Sequence, residues 1–111
     1  MITTVAGGGE PADGLGDDGL ATSARLTSPR GVAVDGQGHL YIAESNSTGR
    51  IRRVDAVTGV ITTVAGGGSG SIDDGRLATA IKVSLPDDVA IDGLGHLYIA
   101  ENGGGDRIPV S

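Results

Sequence analysis

The sequence predicts an all-β protein of the β-propeller class, with two four-stranded blades per chain. Three observations carry this. First, the chain repeats itself: ITTVAGGG occurs at 2–9 and again at 61–68, and VAVDGQGHLYIAE at 32–44 returns as VAIDGLGHLYIAE at 89–101, identical at eleven of thirteen positions. Second, each period of about 57–59 residues holds four short segments rich in β-branched residues. Third, glycine accounts for 21 of 111 residues and punctuates the boundaries between those segments, nearly three times its usual share. Sheets of four strands repeated in series are how a propeller is written in sequence.

Residues 2–6 read as a d strand, the last of a blade. A Gly-rich loop follows and ends in Leu20–Leu26, which reads as about two turns of helix with Asp18 at its N-cap. Val32–Val34 is strand a. Asp35-Gly36-Gln37-Gly38 closes it as a tight turn, since glycine tolerates positive φ. His39–Ala43 is strand b. After the loop Ser45–Gly49, Arg50–Val54 alternates charged and apolar residues, the period-2 pattern of strand c. Asp55–Gly59 turns, and Val60–Val64 is a β-branched strand d. The second copy repeats the a–b unit and then stops in its c strand. The expected organisation is one two-blade unit over 1–111: strand d at 2–6, a blade at 32–65, and a partial blade at 89–110.

Composition removes several classes. With no cysteine, a disulfide scaffold, a thiolate metal site and a cysteine nucleophile are excluded. A net charge of −6 argues against nucleic acid. No apolar run is long enough to span a membrane, and no signal segment opens the chain. No cofactor motif is present, and the sequence assigns no compartment. GGG at 7–9 and 66–68 lacks the lysine of a phosphate loop.

The stretch SPRGVAVDGQGHLYIAESNSTGRIRRVDAVTGVITTVAG resembles an NHL repeat, the blade of a usually six-bladed propeller family, and GDDGLATSARL before it is similar to the inter-blade loop of the extended bacterial type. The likeness covers 2–108 and rests on Pro29, Gly31, Val32, Asp35, Gly38, Leu40, Tyr41, Ile42, Ala43, Arg50 and Ile51. It departs at His39 and His96, where the family usually has Asn, at Glu44 and Glu101, where it usually has Asp, and in the Asn-His-Arg core, of which Arg50 and Arg107 survive. The resemblance implies a structural Glu–Arg contact across strands b and c, Glu44 with Arg50 and Glu101 with Arg107.

Two blades alone leave apolar faces and an unpaired edge. The expected partner is therefore the chain itself, with three copies closing six blades and the 2–6 strand of one completing the 89–110 blade of another. Pro109, at the position of Arg52, weighs against that strand having ladder partners on both sides. Met1 at a repeat boundary reads as an excised or designed start. The expected role is a non-catalytic self-assembling scaffold or interaction module. The alternative is a propeller that holds a polar ligand or ion, and a lyase- or hydrolase-type propeller enzyme ranks third.

The candidate ligand or ion site is the axis, where Arg30 aligns with Asp87 and Gly31 with Asp88 just before strand a. Salt bridging between blades is the simpler reading of these residues. Asp17, Asp18, Asp73 and Asp74 are acidic loop residues that calcium would accept, but their spacing fits no calcium loop, and a helix cap explains them better. His39 and His96 recur at one repeat position and would form a ring of imidazoles in a trimer; a turn hydrogen bond is the simpler role. Tyr41 and Tyr98 are expected to pack between blades with the hydroxyl reaching a partner. Arg52 and Arg53 read as a small basic spot.

Overall fold

The computed structural model describes residues 2–12, 15–45, 49–68, 83 and 86–101. Among the described residues six strands form: β1 (Pro29–Val34), β2 (Leu40–Glu44), β3 (Arg50–Val54), β4 (Ile61–Gly66), β5 (Pro86–Ile91) and β6 (Leu97–Glu101). The first four make one antiparallel sheet in the order β1-β2-β3-β4, a meander, and β5 pairs with β6 in a second sheet. Each turn is set by local chemistry. Gly38 and Gly95 both adopt φ +87°, where an L side chain would be strained. Pro29 and Pro86 open their strands, where a missing N–H does least harm. Residues 29–66 thus form one all-β, antiparallel sheet of four strands. The second copy's a and b strands are present too, and its c strand lies outside the described residues.

Irregularities in the ladder matter for the site. Pro29 faces Glu44 and Gly31 faces Ala43, so Arg30 is an extra residue bulged out of β1. The second sheet repeats this with Pro86 and Asp88 around Asp87. Another bulge lies between Ile51 and Arg52, where Ile51 faces Ala65 but Arg52 faces Thr63. It switches the faces of β4: Ile61 and Thr63 point to one side, Ala65 to the other.

The first sheet is covered on both faces except along β1, where Val32 and Val34 stay exposed. One carries Tyr41, Ala43, Ile51 and Ala65 and packs on Val89, Leu97 and Ile99 of the second sheet, with Val83 between. The other carries Ile42, Val54 and Ile61 and is covered by Ala21, Ala24, Leu26 and Ala6 from the preceding loop. That loop also closes the sheet edge. Asp18 N–H donates to Ile61 O (2.8 Å), Ile61 N–H to Gly19 O (3.0 Å) and Ala21 N–H to Gly59 O (2.8 Å). The start of the outer edge of β4, at Ile61, is therefore taken by the loop.

Two expectations are corrected. The two-turn helix is a single 3-10 turn, Ala21–Ser23, and Asp18 does not cap it: Leu20 is the N-cap, with no side-chain hydrogen bond. Asp18 instead takes φ +70° inside a turn. The segment spends its backbone hydrogen bonds on the sheet edge, so too few remain to continue a helix. Residues 2–6 form no strand in the single chain, and Ile2 to Val5 are exposed. The chain is anchored just beyond, by Gly7 N–H to Ala21 O (2.8 Å) and Gly9 N–H to Ala24 O (3.0 Å).

Candidate functional site

Three polar groupings stand out, and the most buried is one that sequence reasoning missed. Arg52, taken above for a basic spot, is fully buried. β3 is a central strand with both faces covered, so a cation on it must be paired. Its guanidinium holds Asp17 Oδ1 through Nε (3.1 Å) and Nη2 (2.9 Å). It also donates to Leu15 O (2.9 Å) and Arg25 O (3.1 Å), and Nη1 meets Glu44 Oε2 at 3.4 Å. Asp17 accepts from Thr63 Oγ1 at 2.6 Å, and Glu44 from the Thr27 N–H at 2.8 Å. The group fastens the long loop to the sheet. Asp17 is thus placed as a clamp residue, its carboxylate taken by Arg52 and Thr63. Glu44 and Arg50 face one another in the ladder, and the Glu44 carboxylate also reaches Arg52, two residues along the same face. The signal was the Arg-x-Arg spacing, which puts Arg50 and Arg52 on one side of β3 with Glu44 opposite.

The second grouping is the pair of a–b turns. In each, one aspartate ties the whole hairpin. Asp35 Oδ1 accepts from the N–H groups of Gln37 (2.9 Å) and His39 (3.0 Å), and Oδ2 from the Tyr41 hydroxyl (3.1 Å). Asp92 does the same for Leu94, His96 and Tyr98 at 2.9, 2.9 and 3.0 Å. Burial opposes ionisation of Asp35, but its hydrogen bonds outweigh that and hold the carboxyl below the usual range. For Asp92 the His96 N–H leads the same downward shift, and the bound carboxylate in turn raises the Tyr98 hydroxyl. The two turns flank a cleft of about 300 Å³ lined by Asp35, Gly36, Gln37, Tyr41, Ile91, Asp92, Gly93 and Gly95.

The histidines occupy equivalent positions in different states. Nδ1 of His39 accepts the Ala56 N–H at 2.9 Å, so that nitrogen carries no proton. Nδ1 of His96 lies 3.0 Å from Asp92 Oδ2, which can only accept, so there it donates. Both rings serve turns, and they do not present one repeated ligand face. Among the described residues, no three of His, Cys, Asp and Glu gather where a metal would bind. Asp73, Asp74 and Arg107 lie outside the described residues.

The third grouping is at the other end of the strands. The two bulge residues meet, with Arg30 Nε 3.6 Å from Asp87 Oδ1, both partly exposed. Beside them β1 and β5 approach so closely that a Cβ on Gly31 would lie 2.6 Å from Asp88 Oδ1 and 2.7 Å from its Cα. Arg30, Asp87 and Asp88 are therefore brought together, as parts of the contact between sheets.

That contact also separates the two tyrosines and the strand-a valines. Tyr41 is 8% exposed under the second sheet, whereas Tyr98, its counterpart on the far side of that sheet, is 38% exposed. Val89 is 4% exposed against the first sheet, whereas Val32, its counterpart, is 60% exposed. Chemistry common to both repeats is buried where a neighbouring sheet exists and open where none does.

Comparison with known proteins agrees with this architecture. The profile of the Teneurin NHL domain matches residues 4–73. Teneurin-1 of Mus musculus is 36% identical over 94 residues, covering 78% of this chain and 3% of the relative. Protein SUPPRESSOR OF QUENCHING 1, chloroplastic, of Arabidopsis thaliana is 33% identical over 85 residues, covering 77% of this chain and 8% of the relative. The chain thus spans a small fraction of the length of these relatives. A crystal structure of a protein of unknown function from Bacteroides thetaiotaomicron aligns with a TM-score of 0.68 at 27% identity, over 88% of this chain and 25% of the other. With its repeat, its meander and this profile match in agreement, the chain belongs to the NHL-repeat family, on the side of the Teneurin NHL domain.

Proposed function

We propose that the chain is a non-catalytic propeller module that assembles with copies of itself, three chains supplying six blades. The observation that supports this is the sheet-to-sheet contact: it buries Tyr41 and Val89 and leaves Tyr98 and Val32 open at the two ends of the stack. An apolar face left open at each end favours association. In this reading residues 2–6, of which 2–5 are exposed in the single chain, become the fourth strand of the 89–110 blade of a neighbour. Light scattering on a size-exclusion column tests it. The expected mass is three times the chain mass of 10.9 kDa, and a monomer would overturn the reading.

A second reading keeps a polar ligand or ion at the axis, held by Arg30, Asp87 and Asp88. Their convergence favours it, while the Arg30–Asp87 pair already satisfies both charges. Calorimetric titration with calcium, and separately with inorganic phosphate, tests it; no heat from either ends it. An enzyme role gains no support from the a–b turns, whose carboxylates are committed to their own backbone.

A further inference from the structure

We infer that copies join head to tail through one defined contact, in which Val32 and Val34 of one copy seat against Ala90, Tyr98 and Ala100 of the next. This deepens the self-assembly reading and rests on it. The contact is already written once inside the chain. There, strand β5 lies across β1 and β2, with Val89 and Ile91 against Ala33, Tyr41 and Ala43. The repeat places Val32 and Val34 where Val89 and Ile91 stand, and Ala90, Tyr98 and Ala100 where Ala33, Tyr41 and Ala43 stand. The first pair is 60% and 58% exposed. The second set lines an open hollow of about 160 Å³, together with Asp88 and Val89. Each end therefore presents the half that the other lacks. A face-to-face dimer would instead put valine on valine or tyrosine on tyrosine, pairings that occur nowhere in the internal contact.

Charge agrees. Inside the chain Arg30 of the earlier sheet meets Asp87 of the later one. At a head-to-tail junction the earlier sheet carries Asp87 and the later one, from the next copy, carries Arg30. Opposite charges face each other at both kinds of junction. The glycine also changes sides. Inside, Gly31 makes room for Asp88; between copies, Asp88 brings its Cβ against Gly31 of the neighbour. The junction between copies is consequently wider at this point, and Asp88→Gly tightens it.

Blocking one end at a time tests the inference. Val32→Lys/Val34→Lys closes the head and Ala90→Lys closes the tail; all three positions are exposed in the single chain, and circular dichroism checks folding. Each variant alone is expected to run as a monomer. Mixed, they are expected to form a 1:1 complex and nothing larger, because one intact tail meets one intact head. A dimer of either variant alone, or no complex on mixing, overturns head-to-tail pairing. An oligomeric wild type with an inert mixture leaves self-assembly standing and removes this contact; a monomeric wild type removes both. As an independent check that needs no blocked face, Arg30→Asp is expected to weaken association by up to about fivefold per junction, with Asp87→Arg restoring it. An unchanged association constant in Arg30→Asp counts against the inference.

Discussion

Replacing Arg52 with methionine removes the guanidinium and keeps most of the stem volume. Four acceptor groups then lose the Arg52 donor: the Asp17 and Glu44 carboxylates and the carbonyls of Leu15 and Arg25. Breaking a buried ion pair from one side costs about 3–5 kcal/mol. Two features pull the value to the low end. Asp17 is a quarter exposed and can turn to water, and Glu44 keeps the Thr27 N–H. The expected loss is about 3 kcal/mol, a large part of the ~5–15 kcal/mol a small domain has. At a urea dependence of about 1.5 kcal/mol/M, the unfolding midpoint falls by about 2 M. The assay is urea unfolding followed by circular dichroism at one fixed chain concentration. Arg53→Met is the control: that side chain is partly exposed and reaches Asp55 at 3.6 Å, so its loss should cost under about 1 kcal/mol. Adding Glu44→Gln to Arg52→Met should recover part of the deficit, because a neutral amide leaves no charge buried. A midpoint shift below about 0.5 M for Arg52→Met would refute the clamp.

Three further outcomes are expected. Asp35, Asp55 and Asp92 all have folded carboxyl pKa values below their unfolded ones, with hydrogen bonds from their own turns supporting ionisation in each. Their contribution is complete above the unfolded value near 4 and is lost as pH falls below it, so unfolding followed from pH 6 to 2 should steepen below about pH 4, and Asp92→Asn should flatten that limb. Gly31→Ala places a methyl group against the backbone of β5 and should cost about 1–3 kcal/mol by urea titration; a neutral result means the sheets are not this close. Val89→Ala should cost about 2 kcal/mol, whereas Val32→Ala, at the same repeat position, should be near neutral in the monomer; equal effects would contradict the sheet contact.

The strands were legible because their signals are local. DG-x-G turns and β-branched runs each sit within a dozen residues, and β1 to β6 appear where those signals fall. The bulges at Arg30 and Asp87 were not legible, since an extra residue in a ladder is fixed by the partner strand and leaves no mark on its own sequence. Arg52 was misread for a similar reason. Its burial depends on a loop 27 to 37 positions earlier in the chain folding over β3. Asp18 carries good capping chemistry, but the loop's bonds to β4 outcompeted the helix that it would have capped. Strand propensity in Ile2–Val5 is real and remains unspent, because propensity alone supplies no edge to pair with.

The alternation of Arg30 and Asp87 has an arithmetic consequence. In the head-to-tail assembly proposed above, opposite charges would meet at every junction, as Arg30 and Asp87 do inside the chain, only while the two kinds of repeat strictly take turns. A ring with an odd number of blades would break that order once and set arginine beside arginine or aspartate beside aspartate. Rings of four, six or eight satisfy it; rings of five or seven do not. Gly31 and Asp88 follow the same rule, since two aspartates at one junction would leave neither backbone room for the other. The unit that such a sequence can duplicate or delete without penalty is therefore the pair of blades, and blade number in descendants of this chain is expected to change in twos.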